Sequence, residues 1–492
     1  MNHPILSGFH ADPSICRVGD TYYLANSSFE YVPGVPISRS TDLVSWELIG
    51  HALTRPSQLT PSTGAASSGI YAPTLRHHHG RFFLVTTNID EVQRGHLIVT
   101  ADDPAGPWSD PVHVTGTVGI DPDLAWDDDG ICHLTWASFL PTLQGIASVP
   151  IEPETGLMLG EPRLLWNGTG LAAPEGPHLY RVDGWWYLLL AEGGTERGHV
   201  VTLARARALD DTFEPAPHNP ILTHRSTDHP VQNTGHADLV QCADGNWAMV
   251  YLGVRPRGNT PKFHVNGRET FLAGVDWIDG WPVIDEDRFA IEPSDHTFTD
   301  AFPTPDLDPR WVAPGAGPAT LTHWFAPGEL VLTADAGRDA PAILLTRVRD
   351  EQWTAEARLD VSAGTARLLV RIDERHWYGL TADHDTVTAT LAVGPAVSTV
   401  ATVQAGGPQV RLRIRAFRPE APGSYRQPDE PDLVELSALA PDGTAQVLGS
   451  FDGRYLSTEV AGGFTGRMVG VEVLDGSVTL RSFRYFTRAQ ES

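Results

Sequence analysis

Apolar positions along this chain come in short stretches. Some alternate strictly with polar positions and others run unbroken for a few residues. Both patterns predict strands, half-buried where the residues alternate and buried on both faces where they do not. Helical spacing is nearly absent, and the 39 prolines and 47 glycines are spread throughout, so an all-β protein is expected. The clearest alternation is VRLRIRAF (410–417). It puts Val410, Leu412, Ile414 and Ala416 on one face and Arg411, Arg413 and Arg415 on the other, a strand with one wet face. ARLLVRI (366–372) and VTLRSFRYF (478–486) alternate in the same way.

The first part of the chain carries a repeat. HADPSICRVGDTYYL from His10, IYAPTLRHHHGRFFL from Ile70, GIDPDLAWDDDGICHL from Gly119, APEGPHLYRVDGWWYLL from Ala173 and GHADLVQCADGNWAMVYL from Gly235 share one plan. Each has a short polar or small stretch, an apolar residue, a Gly-containing turn and an aromatic-rich strand. Aligned on Ile15, Leu75, Leu124, Leu179 and Leu239, the residues Pro13, Pro73, Pro122 and Pro177 fall in register, with Ala237 in the fifth copy. One position earlier stand Asp12, Ala72, Asp121, Gly176 and His236, and Glu175 precedes Gly176. A hairpin that returns every ~50–60 residues predicts a five-bladed β-propeller. The starts of equivalent inner strands converge on a propeller's axis, so Asp12, Asp121, Glu175 and His236 are expected in one pocket.

The repeat ends near IEPSD (291–295), and FTDAFPTPDLDPRW opens a different region. Its alternating strands, joined by Gly, Pro and Asp turns, predict a β-sandwich. We therefore expect a propeller over 1–292 and a sandwich over 298–490, with RPEAPGSYRQPDEPD (418–432) as a charged, Pro-rich loop. A length of 492 residues agrees with two domains.

Composition narrows the function classes. A formal net charge of −26 argues against nucleic acid and anionic membranes, which both demand a basic face. No apolar run approaches the ~20 residues that span a bilayer. The start lacks a basic and then apolar leader, and three cysteines (Cys16, Cys132, Cys242) make no disulfide framework. A cytoplasmic location is the expectation.

Acids around one pocket are what glycoside hydrolysis requires. One carboxylate activates water or attacks, and another is held protonated to supply the leaving group. A third raises that acid's pKa and aims it. Asp12, Asp121 and Glu175 fill this description. Asp127, Asp128 and Asp129, ahead of Gly130, read instead as a hairpin turn. His77, His78 and His79 also sit at a turn, and three consecutive strand residues cannot all face one metal. His236, on the axis, is expected to contact a carboxylate or to hold a water or a cation.

At this point the chain resembles a known family. NHPILSGFHADPSICRVGDTYYLANSSFEYVPGVPISRSTDLVSWELIGHAL, SGIYAPTLR, GIDPDLAWDDDG, PEGPHLYRVDGWWYLLLAEGGTERGH, TGHADLV and GRETFLAGVDWIDGWPV are similar to glycoside hydrolase family 43. The likeness is to its two-domain β-xylosidase/α-L-arabinofuranosidase branch. The resemblance implies a five-bladed propeller, a concanavalin-like sandwich, and inverting exo-action on pentoside ends. By the same resemblance Asp12 is a general base, Asp121 a pKa-modulating acid and Glu175 a general acid. Arg268 grips the terminal sugar, Phe29 and Tyr71 line the pocket, and Thr195 lies on an inner-blade loop. His236 sits below the pocket, where some relatives hold a divalent cation. Phe464, in AGGFTGRMVGV (461–471), is a candidate wall contributed by the second domain. Two departures stand out: Gly176 replaces the family's usual Ala after the acid, and Tyr71 stands where many xylosidase relatives carry Trp.

The reading is therefore an exo-glycosidase acting on xylo- or arabino-oligosaccharides, β-xylosidase first and α-L-arabinofuranosidase second. It needs no cofactor for the chemistry, leaves room for Ca²⁺ in the channel, and is compatible with a homo-oligomer. A non-catalytic carbohydrate-binding or interaction propeller is the rival class. Such a scaffold has no reason to keep acids at equivalent axial positions.

Overall fold

The computed structural model of the chain describes residues 3–59, 64–258, 261–334, 342–419 and 432–487. The expected loop at 418–432 falls largely on residues 420–431, which lie outside the described residues. The expectation of a five-bladed propeller followed by a concanavalin-like sandwich is borne out. Helix is confined to Pro318–Leu321, Thr458–Ala461 and two 3₁₀ turns among the described residues.

Each repeat forms one antiparallel blade. The first runs Ser14–Val18, Thr21–Ala25, Gly34–Ser40 and Glu47–Leu53, and the second Thr74–His78, Arg81–Thr86, His96–Ala101 and Val112–Val114. The third is built on Gly119–Trp126, Cys132–Ser138 and Gly145–Glu152, with two short outer strands. The fourth runs Glu175–Val182, Trp185–Glu192, Val200–Ala206 and Glu214–Pro215, and the fifth Gln232–Gln241, Trp247–Val254, Glu269–Ile278 and Trp281–Asp285. The ring closes where the Ile5 and Leu6 N–H groups donate to the Thr270 carbonyl of the fifth blade. Continuous apolar runs such as LLLA (188–191) and MVYL (249–252) are buried because each blade is covered by a neighbour on both faces.

Three of the five inner strands start on a bulge. Strand register shifts between Ile120 and Asp123, between Glu175 and His178, and between Gly235 and Asp238. The residues of the aligned position are left-handed in four blades: Asp12 at φ 52°, Asp121 at 56°, Gly176 at 56° and His236 at 46°. That region is sterically poor for most side chains but tolerated by Gly, Asp and His. Residue choice at this position thus answers a backbone demand as well as a chemical one. Ala72 of the second blade is not left-handed.

The second region forms one twelve-stranded antiparallel sheet folded over itself. Its spine is two long strands, Trp353–Arg371 and Met468–Thr487, paired along their length and bent at shifts near Asp360–Ala363. In VRLRIRAF the four apolar residues are buried, and Arg413 pairs with Glu356. Ala313 and Pro314 pair with Val32 and Tyr31 of the first region. There Phe9, Phe29 and Tyr31 share a core with Val312, Ile343, Leu345 and Met468. Burying each such side chain stabilises by roughly 1.5–3 kcal/mol.

Candidate active site

All nine residues singled out from the sequence line one pocket of about 140 Å³. It is closed below by Asp12, Asp121, Glu175 and His236 and walled by Phe29, Tyr71 and Phe464, with Thr195 and Arg268 on the remaining side. Ala72, Ile120 and Gly194 complete it. Sequence reasoning had no chemical handle on those three, because they contribute small or apolar surface.

Asp12 is buried and held from three sides. Arg268 Nη1 donates to its Oδ1 at 2.9 Å, Ser27 Oγ donates to its Oδ2 at 2.5 Å, and His236 Nδ1 lies 3.5 Å from Oδ1. Burial opposes the charge, but Arg268, His236 and Ser27 outweigh it and hold the carboxyl below its ordinary range. Arg268 also donates to Thr195 Oγ1 at 3.1 Å. Its guanidinium carbon lies 5.5 and 5.3 Å from the ring centroids of Phe29 and Phe464, within cation–π range.

Asp121 and Glu175 have the opposite environment. Burial, then Glu175 and Asp12, push Asp121 well above the ordinary carboxylate range. Burial and then Asp12 push Glu175 up to about 7. The two titrate as a pair, so at neutral pH they do not both carry a full charge. The Gly176 N–H donates to Asp121 Oδ2 at 3.1 Å, which offsets part of the upward shift of Asp121.

Gly176 tightens this arrangement. Its left-handed φ suits glycine, and the His236 ring lies against it, so an added Cβ would come within 3.1 Å of the ring. Burial lowers His236 to about 4, so the imidazole is neutral at neutral pH. Its carboxylate contact among the described residues is with Asp12. Among the described residues no group of three or more His, Cys, Asp or Glu side chains gathers as metal ligands. Ca²⁺ takes ~6–8 oxygens, so the side chains present fit it poorly.

One layer below lies a network that the sequence reading missed. Two residues further along each strand from Asp12, Asp121, Gly176 and His236 come Ser14, Asp123, His178 and Asp238. Arg76 of the second blade joins them. It donates to Asp238 Oδ2 at 2.7 Å and to Asp123 Oδ1 at 2.8 Å, and lies 2.9 Å from His178 Nδ1. Ser14 Oγ and Tyr180 Oη donate to Asp238 at 2.8 and 2.6 Å. All five blades meet here, and Asp123 and Asp238 are fully buried. The signal was present as the same two-residue period carried one step deeper.

The excluded groups lie elsewhere. Asp127 Oδ1 accepts the N–H groups of Asp129 and Ile131 in the expected hairpin turn. At the expected turn His77 and His78 are half-buried and His79 is exposed. His77 packs on Phe82, and His78 stacks on Trp126 at 4.3 Å.

Comparison with known proteins now decides the family. The model of glycosyl hydrolases family 43 matches residues 1–282, and that of the β-xylosidase C-terminal concanavalin A-like domain matches residues 299–487. This chain belongs to glycosyl hydrolase family 43. Its relatives in the family include a xylosidase/arabinosidase of Butyrivibrio fibrisolvens, 44% identical over 63% of this chain and 64% of that protein. Another is a non-reducing-end α-L-arabinofuranosidase of Bacteroides ovatus, 40% identical over 77% of this chain and 75% of that protein. Among solved structures, GH43B of the Bacteroides ovatus xyloglucan PUL superimposes with a TM-score of 0.87 at 33% identity, covering 99% of both chains. The xylan β-1,4-xylosidase of Bacillus halodurans C-125 gives 0.86 at 29% identity, covering 99% of this chain and 100% of that one.

Proposed function

We propose that this family 43 member removes terminal pentose residues from xylo- or arabino-oligosaccharides with inversion at the anomeric carbon. The observation that carries the reading is the split among three buried acids in one pocket. Asp12 is held ionised by Arg268, while Asp121 and Glu175 are raised. Environments that push carboxyls apart are how one site holds an acid and a base at the same pH.

Asp12 takes a proton from water as the water oxygen bonds to the anomeric carbon. Glu175 gives its proton to the glycosidic oxygen as the carbon–oxygen bond breaks. Asp121 accepts the Gly176 N–H and titrates with Glu175 as a pair, so the pair retains a proton near neutrality. The turnover leaves Asp12 protonated and Glu175 ionised, and exchange with solvent resets both. Arg268 anchors the base and, with Phe29, Tyr71 and Phe464, borders a space suited to one sugar ring, which supports exo-action. No cofactor enters these steps. The poor fit around His236 argues against Ca²⁺ held by side chains alone.

A β-xyloside is the primary substrate. An α-L-arabinofuranoside is the second reading, favoured by the Bacteroides ovatus relative and by Tyr71 at the position where many xylosidase relatives carry Trp. A cytoplasmic setting is part of the proposal, supported by three free cysteines, two of them buried. Chromogenic xyloside and arabinofuranoside, assayed side by side, test the function. Turnover of either supports hydrolysis and their ratio assigns the sugar. Turnover of neither, by folded protein, returns the chain to the non-catalytic class.

A further inference from the structure

The pocket's aromatic wall comes from two domains, and one residue outside the pocket touches both parts of it. Phe29, Tyr71 and Phe464 pack on one another, with ring centroids 5.3 Å apart for Phe29–Tyr71, 5.6 Å for Phe29–Phe464 and 5.9 Å for Tyr71–Phe464. Phe29 is fixed by the inner core and by a backbone bridge to Ile70. Tyr71 and Phe464 have a second attachment. Tyr71 Oη donates to the Ser67 carbonyl at 3.2 Å, and the Phe464 N–H donates to Ser67 Oγ at 2.9 Å.

Ser67 is itself forced into place. Its φ is 60°, a left-handed conformation that serine adopts only when its surroundings demand it. Its N–H donates to Oε2 of Glu30 at 3.0 Å, and Glu30 is a buried carboxylate that directly follows Phe29 in the chain. The approach from the second domain is equally close. Gly463 is left-handed at φ 84°, and a Cβ there would stand 2.6 Å from Ser67 Oγ. Backbone strain, a buried carboxylate and a glycine-only approach thus converge on one residue.

We propose that Ser67 is a positioning residue that latches Phe464 of the second domain and Tyr71 of the first into one wall over the sugar pocket. The second domain is then part of substrate binding through this contact. Tyr71 takes part because its hydroxyl donates to the Ser67 carbonyl. The inference rests on the glycosidase reading for its kinetic consequence and on geometry alone for its structural one.

Two measurements on the full chain test it. Ser67→Ala should raise KM for aryl pentosides about three- to tenfold, the worth of one hydrogen bond, with kcat changed less than about twofold. Its pH profile should match wild type, since Ala keeps the backbone N–H that donates to Glu30 and the change is made away from Asp12, Asp121 and Glu175. In a Phe464→Ala background the same change should add almost nothing, because the latched group is gone. Independently of turnover, hydrogen exchange at 462–466 should quicken about tenfold in Ser67→Ala, with the inner-strand segments unchanged. Unaltered exchange at 462–466, or a full Ser67→Ala effect in the Phe464→Ala background, overturns the latch. Wild-type protein that hydrolyses no pentoside overturns the glycosidase reading instead, and exchange still decides the latch.

Discussion

Gly176 donates its backbone N–H to the Asp121 carboxylate at 3.1 Å, so the residue next to Glu175 stabilises negative charge on the neighbouring acid. The bond runs from the fourth blade to the third. It offsets part of the upward shift of Asp121, but both acids stay raised, so the pair keeps a shared proton near neutrality.

Activity needs Asp12 ionised and Glu175 protonated. Asp12 is held below the ordinary carboxylate range, so the acidic limb of kcat/KM should fall below about pH 4. Glu175 is raised to about 7, so the alkaline limb should fall near neutrality. Steady-state kinetics across pH should give this bell, and Glu175→Ala should lose its alkaline side. Glu175→Ala should also impair natural disaccharides more than activated aryl glycosides, whose phenolate leaves with little protonation. Equal losses on the two substrates would deny Glu175 the role of acid.

The same shift predicts a stability effect. A group whose folded pKa is raised stabilises fully below its unfolded pKa, and that stability is lost as pH rises through the folded value. For Glu175 the window runs from about 4.5 to about 7. Glu175→Gln has no carboxyl to ionise, so its Tm should exceed wild type at about pH 8 and match it at about pH 4. Calorimetry at the two pH values checks this.

Asp12→Asn should keep the fold and lose about 10²–10⁴-fold in kcat, because an amide does not accept the proton from water. A variant retaining more than about a tenth of wild-type kcat would reject Asp12 as the base.

Arg76 lies in a layer that closes the channel, away from the reacting groups. Arg76→Met leaves Asp123 and Asp238 buried without their cation and should cost about 3–5 kcal/mol in denaturant unfolding. A loss under about 1 kcal/mol would mean that the ring of five blades does not depend on this junction.

Much of this was legible in the sequence, for identifiable reasons. The repeat register put Asp12, Asp121 and His236 at one height. The displaced Glu175 could be read from Gly176 occupying the register position itself. Arg76, Asp123 and Asp238 were missed because interest stopped at the pocket floor, although their polar two-residue period continued through strands that otherwise read as buried. Ser67 was not legible: its contact with Phe464 spans 397 positions, and its left-handed seat is imposed by Glu30 and Gly463 rather than by local sequence. His78 gained a ring partner, Trp126, from the next blade, which no single repeat reveals, whereas His77 packs on Phe82 across its own hairpin.

The chelator experiment bears on His236. With one neutral imidazole and no gathered metal ligands among the described residues, exhaustive chelation should leave kcat/KM unchanged. Loss of activity restored by Ca²⁺ would place a cation in the working site.

The stereochemistry of the first product tests the central claim most directly. If Asp12 activates water across the pocket from Glu175, one displacement occurs and the released sugar has inverted configuration. Proton NMR of β-xyloside hydrolysis, followed before mutarotation, should show α-xylose first. Initial appearance of β-xylose would contradict the account and make Asp12 a nucleophile rather than a base.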